Sequence, residues 1–210
     1  TGLENANTVP LPTTLAGSTV LIKDSAGLQR LASLFFSSPT QMNYLIPQGT
    51  VTGTATVIIT SGSNQVSAGS VRIVNVAPGL FSADASGNGL AAANALRVKM
   101  NGEQITENVA NFDDAKKVFV ATPIDLGPEN EQVFLVLYGT GFRYRSSLSA
   151  VSSTIGGTAS EVTFAGASPD YIGLDQCNIR IPRSLAGRGD VEVILFVDGK
   201  MSNKVKVNIK

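Results

Sequence analysis

The sequence predicts an all-β protein made of two tandem Greek-key β-sandwiches with an inserted β-meander. Three observations carry this expectation. Short runs rich in Val, Ile, Thr and Phe, at residues 55–60, 133–138, 191–197 and 204–209, recur between clusters of Gly, Ser, Asn and Pro, the punctuation of strands and turns. Val205, Val207 and Ile209 fall on one face and Lys204, Lys206, Asn208 and Lys210 on the other, the period of two expected of a strand with one wet side. The third observation is an internal repeat. Gln41-Met42-Asn43-Tyr44-Leu45-Ile46-Pro47 matches Gln176-Cys177-Asn178-Ile179-Arg180-Ile181-Pro182, 135 residues on, and Ser18-Thr19-Val20 matches Ser153-Thr154-Ile155 at the same offset. Val71 and Ile73 match Val207 and Ile209, and Thr1-Gly2-Leu3 matches Thr140-Gly141-Phe142.

The elements follow in order. Residues 1–76 form the first sandwich, and residues 77–210 hold the meander (about 77–130) and the second sandwich (about 131–210). Ala77-Pro78-Gly79-Leu80-Phe81 marks the boundary, because Pro and Gly interrupt regular structure. Residues 91–98 and 104–110 flank Met100-Asn101-Gly102-Glu103, where Asn-Gly signals a tight hairpin, and residues 117–121 add a third strand after Asp113-Asp114. Pro123-Ile124-Asp125-Leu126-Gly127-Pro128 then leads into residues 133–138, so the meander should pack on the second sandwich. Helical periodicity is weak and confined to residues 26–36 and 90–96. Within the repeat, Ile46 and Ile181 should be buried, with Gln41 and Gln176 bonding to nearby backbone.

Composition narrows the chemistry. Lys plus Arg and Asp plus Glu are 16 each, so there is no positive field to collect nucleic acid or anionic lipid. The chain has no His, which removes Ser-His and Cys-His nucleophile systems and most zinc sites. The single Cys177 lies in an alternating stretch and reads as a buried, inert thiol. No run approaches the roughly 18 apolar residues of a membrane span, and Thr1-Gly2-Leu3 lacks signal-peptide character, so the chain is expected to be soluble or to have lost its targeting end.

Several motifs extend over nearly the whole chain: Val9-Pro10-Leu11-Pro12-Thr13-Thr14-Leu15-Ala16-Gly17, Ser38-Pro39-Thr40-Gln41-Met42-Asn43, Ala77-Pro78-Gly79-Leu80-Phe81, Pro123-Ile124-Asp125-Leu126-Gly127, Tyr138-Gly139-Thr140-Gly141 and Gly173-Leu174-Asp175-Gln176-Cys177-Asn178. In these the chain resembles the uncharacterised C-terminal domain of large secreted acidobacterial proteins of the Solibacter type. The resemblance implies a pair of immunoglobulin-like sandwiches similar to IPT/TIG modules, carried at the C-terminus of exported proteins, with no catalytic residue to transfer. The chain departs from that pattern at its start, where the strand that usually precedes the first Gly-Thr-Gly is missing.

Each candidate site has a plainer structural explanation. Arg188-Gly189-Asp190 is a tripeptide that integrins read on loops, but its repeat counterpart Thr52-Gly53-Thr54 keeps only the Gly, as a turn requires. Asp84, Ser86, Asn88 and Gly89 imitate the opening of a calcium loop, yet the twelfth position is Ala95 where a bidentate Glu is needed. Asp113 and Asp114 before Lys116-Lys117 read as a solvated turn, and Asp125 is a further isolated carboxylate. Tyr138-Gly139-Thr140-Gly141 follows a strand as phosphate loops do, but no GxxxxGK[ST] or GxGxxG completes it, so its glycines should serve a turn between sheets. Lys23, Lys99 and Lys206 could enter an isopeptide crosslink but read as strand-edge charges. No catalytic, metal or cofactor site is expected, and no cofactor.

The expected function is therefore a non-catalytic extracellular or cell-surface structural and interaction module, the C-terminal part of a larger exported protein. A carbohydrate-binding accessory domain of a secreted enzyme is an alternative, although Trp is absent and aromatics are few. Another follows from the repeat. Residues 133–138 precede Gly139-Thr140-Gly141, whereas the first repeat opens at Thr1-Gly2, past the equivalent strand. A sandwich short of a strand exposes unpaired backbone and apolar side chains. Either that strand lies outside the chain, or a segment from a partner protein or another copy fills the vacancy, making the chain a subunit of a filament or complex assembled by strand complementation.

Overall fold

The computed structural model describes residues 2–210. It is all-β, with several antiparallel sheets in a β-sandwich architecture. The chain divides into two units, Thr1–Val74 and Asn75–Lys210. Among the described residues the only helical segments are two short 3-10 turns, Leu148–Ala150 and Arg183–Leu185. The weakly helical stretches at 26–36 and 90–96 are strand and turn instead, because their Gly boundaries leave too few residues to repay helix nucleation.

The first unit contains β1 (Glu4–Asn5), β2 (Thr14–Leu15), β3 (Ser18–Lys23), β4 (Gln29–Leu31), β5 (Ser33–Ser37), β6 (Met42–Leu45), β7 (Gly53–Thr60) and β8 (Val66–Ile73). One sheet has the order β1-β5-β6, and the other runs β2-β3-β7-β8 with β4 also on β3. Leu15, Val20, Ile22, Ala32, Leu34 and Ala55 form a small buried core, supplied by the inward positions of alternating strands.

The second unit holds β9 (Gly79–Leu80), β10 (Ala93–Val98), β11 (Gln104–Asn108), β12 (Ala110–Asp113), β13 (Val118–Ala121) and β14 (Gln132–Thr140). These are followed by β15 (Val151–Ile155), β16 (Thr158–Ser160), β17 (Val162–Ala167), β18 (Asp175–Arg180), β19 (Gly189–Val197), β20 (Lys200–Met201) and β21 (Val205–Ile209). One sheet is β11-β10-β14-β18-β17 with β9 on β14; the other is β16-β15-β19-β20 with β21 on β19. Its core is far larger, with Leu135, Leu137, Phe142, Ile179, Leu195 and Val207 all fully buried. The Asn101-Gly102 hairpin forms as the sequence requires, with Gly102 at φ +82°. The third meander strand does not pair with the second, however. The buried Val109 interrupts the chain after β11, and β13 pairs with the intervening β12 in a hairpin of its own, while β10 joins the sandwich sheet through β14.

Strand register makes the repeat concrete. β5 pairs with β6 as Leu34↔Tyr44, Phe36↔Asn43 and Ser37↔Met42, and β17 pairs with β18 as Val162↔Ile179, Phe164↔Asn178 and Ala165↔Cys177. Both hairpins carry a register break at the same place, between Leu34/Phe36 and between Val162/Phe164. Residues 41–47 and 176–182 therefore occupy equivalent strands. The Ser18-Thr19-Val20 match needs correction. Gly53 and Ile73 pair as Gly189 and Ile209 do, which makes Val57 equivalent to Val193; Ile22 lies opposite the former and Ile155 opposite the latter. Ile155 thus stands where Ile22 does, two residues out of the sequence match. An even slip keeps the same face inward, so Ser18, Val20 and Ile22 are buried, as are Val151, Ser153 and Ile155. The match of Thr1 to Thr140 lies outside the described residues.

Candidate functional site

The motifs read from the sequence resolve into structural work. Gly189 and Asp190 open β19 rather than sit at a loop tip; Gly189 has φ +67°, its counterpart Gly53 φ +126°, and Asp190 accepts a 2.6 Å hydrogen bond from Asn208 Nδ2. Asp84 Oδ1 accepts from Ser82 Oγ (2.7 Å), Ser86 Oγ (2.7 Å) and Ser86 N (3.1 Å), so the calcium-like loop satisfies its own carboxylate. The two serine hydroxyls hold the Asp84 pKa down to about 2. Asn203 fixes the same loop, accepting from Leu80 N and donating to the Leu80 and Gly87 carbonyls. Among the described residues no group of three or more acidic or Cys side chains converges as a metal site would require.

The glycines of Tyr138-Gly139-Thr140-Gly141 have a tighter purpose than a change of sheet. A Cβ on Gly139 would collide with the Gly79 carbonyl, and one on Gly141, at φ +80°, with the Ala77 carbonyl. Both permit the close approach of the segment around β9. Asp113 Oδ1 accepts from the backbone N–H groups of Ala115 and Lys116, closing a solvated turn. Lys23 and Lys206 are exposed, and Lys99 pairs with Glu103 across the β10–β11 turn at 3.2 Å. Asp125 accepts from Lys210 Nζ and Gly127 N. Cys177 is fully buried, and desolvation pushes its thiol pKa up to about 12.

Three buried charges, each held by ion pairs, were not legible as sites. Asp175 accepts from Phe142 N (2.7 Å), Arg143 N (3.0 Å) and Arg143 Nε (2.5 Å) with no exposure of its own. Asp24 accepts from Ala26 N, Leu28 N, Val51 N and Arg30 Nη1. Burial pushes the Asp24 pKa up, but the Val51 amide, Arg30 and the turn amides outweigh it and leave it lowered. Arg97 is held by Glu107, Glu131 and the Asp125 carbonyl. A cleft of about 380 Å³ lies beside it, lined by Glu107, Asn108, Asn111, Thr122 and Asp125 together with apolar Ala95, Pro123 and Ile124. Its amides are spent on one another, Asn108 donating to Asn111 and Asn111 to Thr122.

What the repeat does bring together is an open edge. In the second unit β18 is paired on both sides, by β14 and β17. In the first unit the equivalent β6 is paired only by β5, so its other edge has no strand beside it among the described residues. The side chains register the difference. Cys177 and Ile179 are fully buried and Ile181 is 4% exposed, whereas Met42 and Tyr44 are half-buried and Ile46 is 38% exposed. The expectation of a buried Ile46 is thus overturned, and the reason is local: Ile181 N donates to Val133 O of β14, a strand that Ile46 lacks. Across the sandwich, Val71 is 37% exposed while its counterpart Val207 has no exposure. Gln41 and Gln176 also depart from expectation, each donating through Nε2 to the side chain two residues on, Asn43 and Asn178, rather than to backbone. Compared with family models, curated proteins and solved structures, the chain matches none.

Proposed function

We propose that this chain is a non-catalytic structural and interaction module of the cell surface or extracellular space, the C-terminal part of a larger exported protein, built from immunoglobulin-like sandwiches of the IPT/TIG type. The observation that carries the reading is the one-sided pairing of β6 above a row of half-exposed apolar side chains. Such a surface is completed by polypeptide, because an added strand satisfies backbone groups and apolar positions together. The ordered motifs shared with the acidobacterial domain, the absence of His and the buried, inert Cys177 support the same reading.

The same edge favours a second reading, in which the strand passes between separate chains and makes the protein a subunit of a filament or complex. Sedimentation of the 210-residue chain over a wide concentration range separates the two. A monomer throughout supports the module; growth into longer species, abolished by Ile46→Lys, supports the subunit. A carbohydrate-binding role draws less support. The ring pairs Phe112–Phe119, which is exposed, and Tyr138–Tyr171, in which Tyr138 is half-buried, meet edge to face, at 68° and 88°, so neither offers the flat paired platform on which a sugar stacks. Saccharide binding that survives Ile46→Lys would contradict the proposal.

A further inference from the structure

We infer that β8 pairs antiparallel with β8 of a second copy of this chain, joining two first units through one continuous sheet. β8 ends the sheet β2-β3-β7-β8, and its residues 66–72 are all exposed. The second unit shows how such an edge is covered. Gly53↔Ile73 and Gly189↔Ile209 align β8 with β21, so Ser70 corresponds to Lys206 and Arg72 to Asn208. Lys206 N donates to Gly89 O (2.7 Å), Lys206 O accepts from Ala91 N (2.9 Å), and Asn208 O accepts from Ile124 N (2.8 Å). The meander thus closes the edge of β21, whereas β8 has no strand but β7 beside it among the described residues. The phase of the β7–β8 ladder agrees. Ser61 N donates to Gln65 O, which makes Ile59–Ser67 and every second pair after it the hydrogen-bonded ones, so Val66, Ala68, Ser70 and Arg72 turn their N–H and C=O groups outward.

The pattern of β8 selects its own copy as the occupant. The outward residues are symmetric about Gly69. A two-fold axis there sets Val66 against Arg72 and Ala68 against Ser70, so the free groups of both strands are satisfied together. Arg72 is the only charged residue of β8, and this register holds its two copies at opposite ends of the ladder, roughly 20 Å apart. Each arginine stem then lies against Val66, which is 64% exposed in the single chain. At the axis Gly69 meets Gly69 in a non-hydrogen-bonded pair, the kind in which side chains crowd closest, and neither has one. β8 also lacks the devices that keep an edge solitary. It has no Lys and no Pro, and its register with β7 is unbroken, whereas Lys204, Lys206 and Lys210 lie in and around β21. Both open edges are consumed, so the assembly closes at two chains.

The test is made in the Ile46→Lys background, where β6 is silenced and β8 is left to associate. Sedimentation should show monomer and dimer with nothing longer, and exchange of the Ala68 and Ser70 amides should slow by about tenfold from dilute to concentrated protein, as they enter a ladder. Ser70→Pro removes an outward N–H and leaves the β7 ladder intact, so adding it should return the protein to monomer. Register is read by Gly69→Cys, a position where a Cβ meets nothing within 4 Å. Oxidation should join two such chains by a disulfide, because Cα atoms of a non-hydrogen-bonded pair lie about 4.5 Å apart. Ser67→Cys, off the axis, should not be joined. A monomer at every concentration, a dimer that survives Ser70→Pro, or linkage through position 67 in preference to 69 would overturn the inference. Ser70→Pro alone leaves β6 to be read by itself, so failure at one edge is not mistaken for failure at the other.

Discussion

Asp84 and Asp175 are both carboxylates that accept three or more hydrogen bonds, yet they stabilise the fold in different ways. Asp84 accepts from two hydroxyls and an amide in an exposed loop, and its pKa falls from 3.8 to about 2. It binds its proton less readily folded than unfolded, so its contribution is fully present above about pH 4 and disappears as the pH falls towards 2. Unfolding of the Asp84→Asn variant followed between pH 5 and 2 should show a smaller loss of stability on acidification than the parent; an identical slope would mean that these bonds do not favour the charged form. Asp175 is instead enclosed, and its removal strands the Phe142 and Arg143 donors in the interior. Asp175→Ala should cost about 3 kcal/mol in denaturant unfolding of the second unit, in the range for breaking a buried pair. Neither role was legible in the sequence. Asp84 was visible as a turn residue, but Asp175 meets Phe142 and Arg143 from more than 30 positions away, a separation that periodicity does not reach.

At the level of elements, the equivalent hairpins β5–β6 and β17–β18 have the same register and the same break but different surroundings. Ile181 is enclosed by β14 and Ile46 is not. Ile181→Ala should therefore cost about 2–5 kcal/mol, the usual range for emptying a core position. Ile46→Ala should cost about 0.5 kcal/mol, as at a surface position. Chemical denaturation of the two variants checks the ratio, and equal losses would mean that Ile46 is covered. The sequence made the repeat legible because Gln, Asn, Ile and Pro recur at one spacing. It assigned Ile46 to the core because a repeated motif reports backbone position, whereas burial depends on a neighbouring strand that the motif does not contain. The third meander strand was misplaced for a similar reason: the break at the buried Val109 leaves residues 110–113 as a strand of their own, which pairs with Val118–Ala121 before β11 can.

For the molecule as a whole, the two units embody one plan at two stages of completion. In the second, β18 is paired on both edges and the core is closed by fully buried Leu, Ile, Val and Phe. In the first, six small or aliphatic side chains form the core, and Met42, Tyr44, Val57, Ile59 and Ile73 only partly enclose it. An incomplete sandwich should be the less stable unit, so thermal unfolding is expected in two steps, the first belonging to Thr1–Val74. The most direct measurement is native-state amide exchange on the unaltered 210-residue chain, comparing Met42–Leu45 with Asp175–Arg180. In an antiparallel strand paired on one side, alternate N–H groups point away from the partner. The open edge predicts alternating fast and slow exchange along Met42–Leu45, against continuous protection along Asp175–Arg180. Continuous protection of both strands would contradict it.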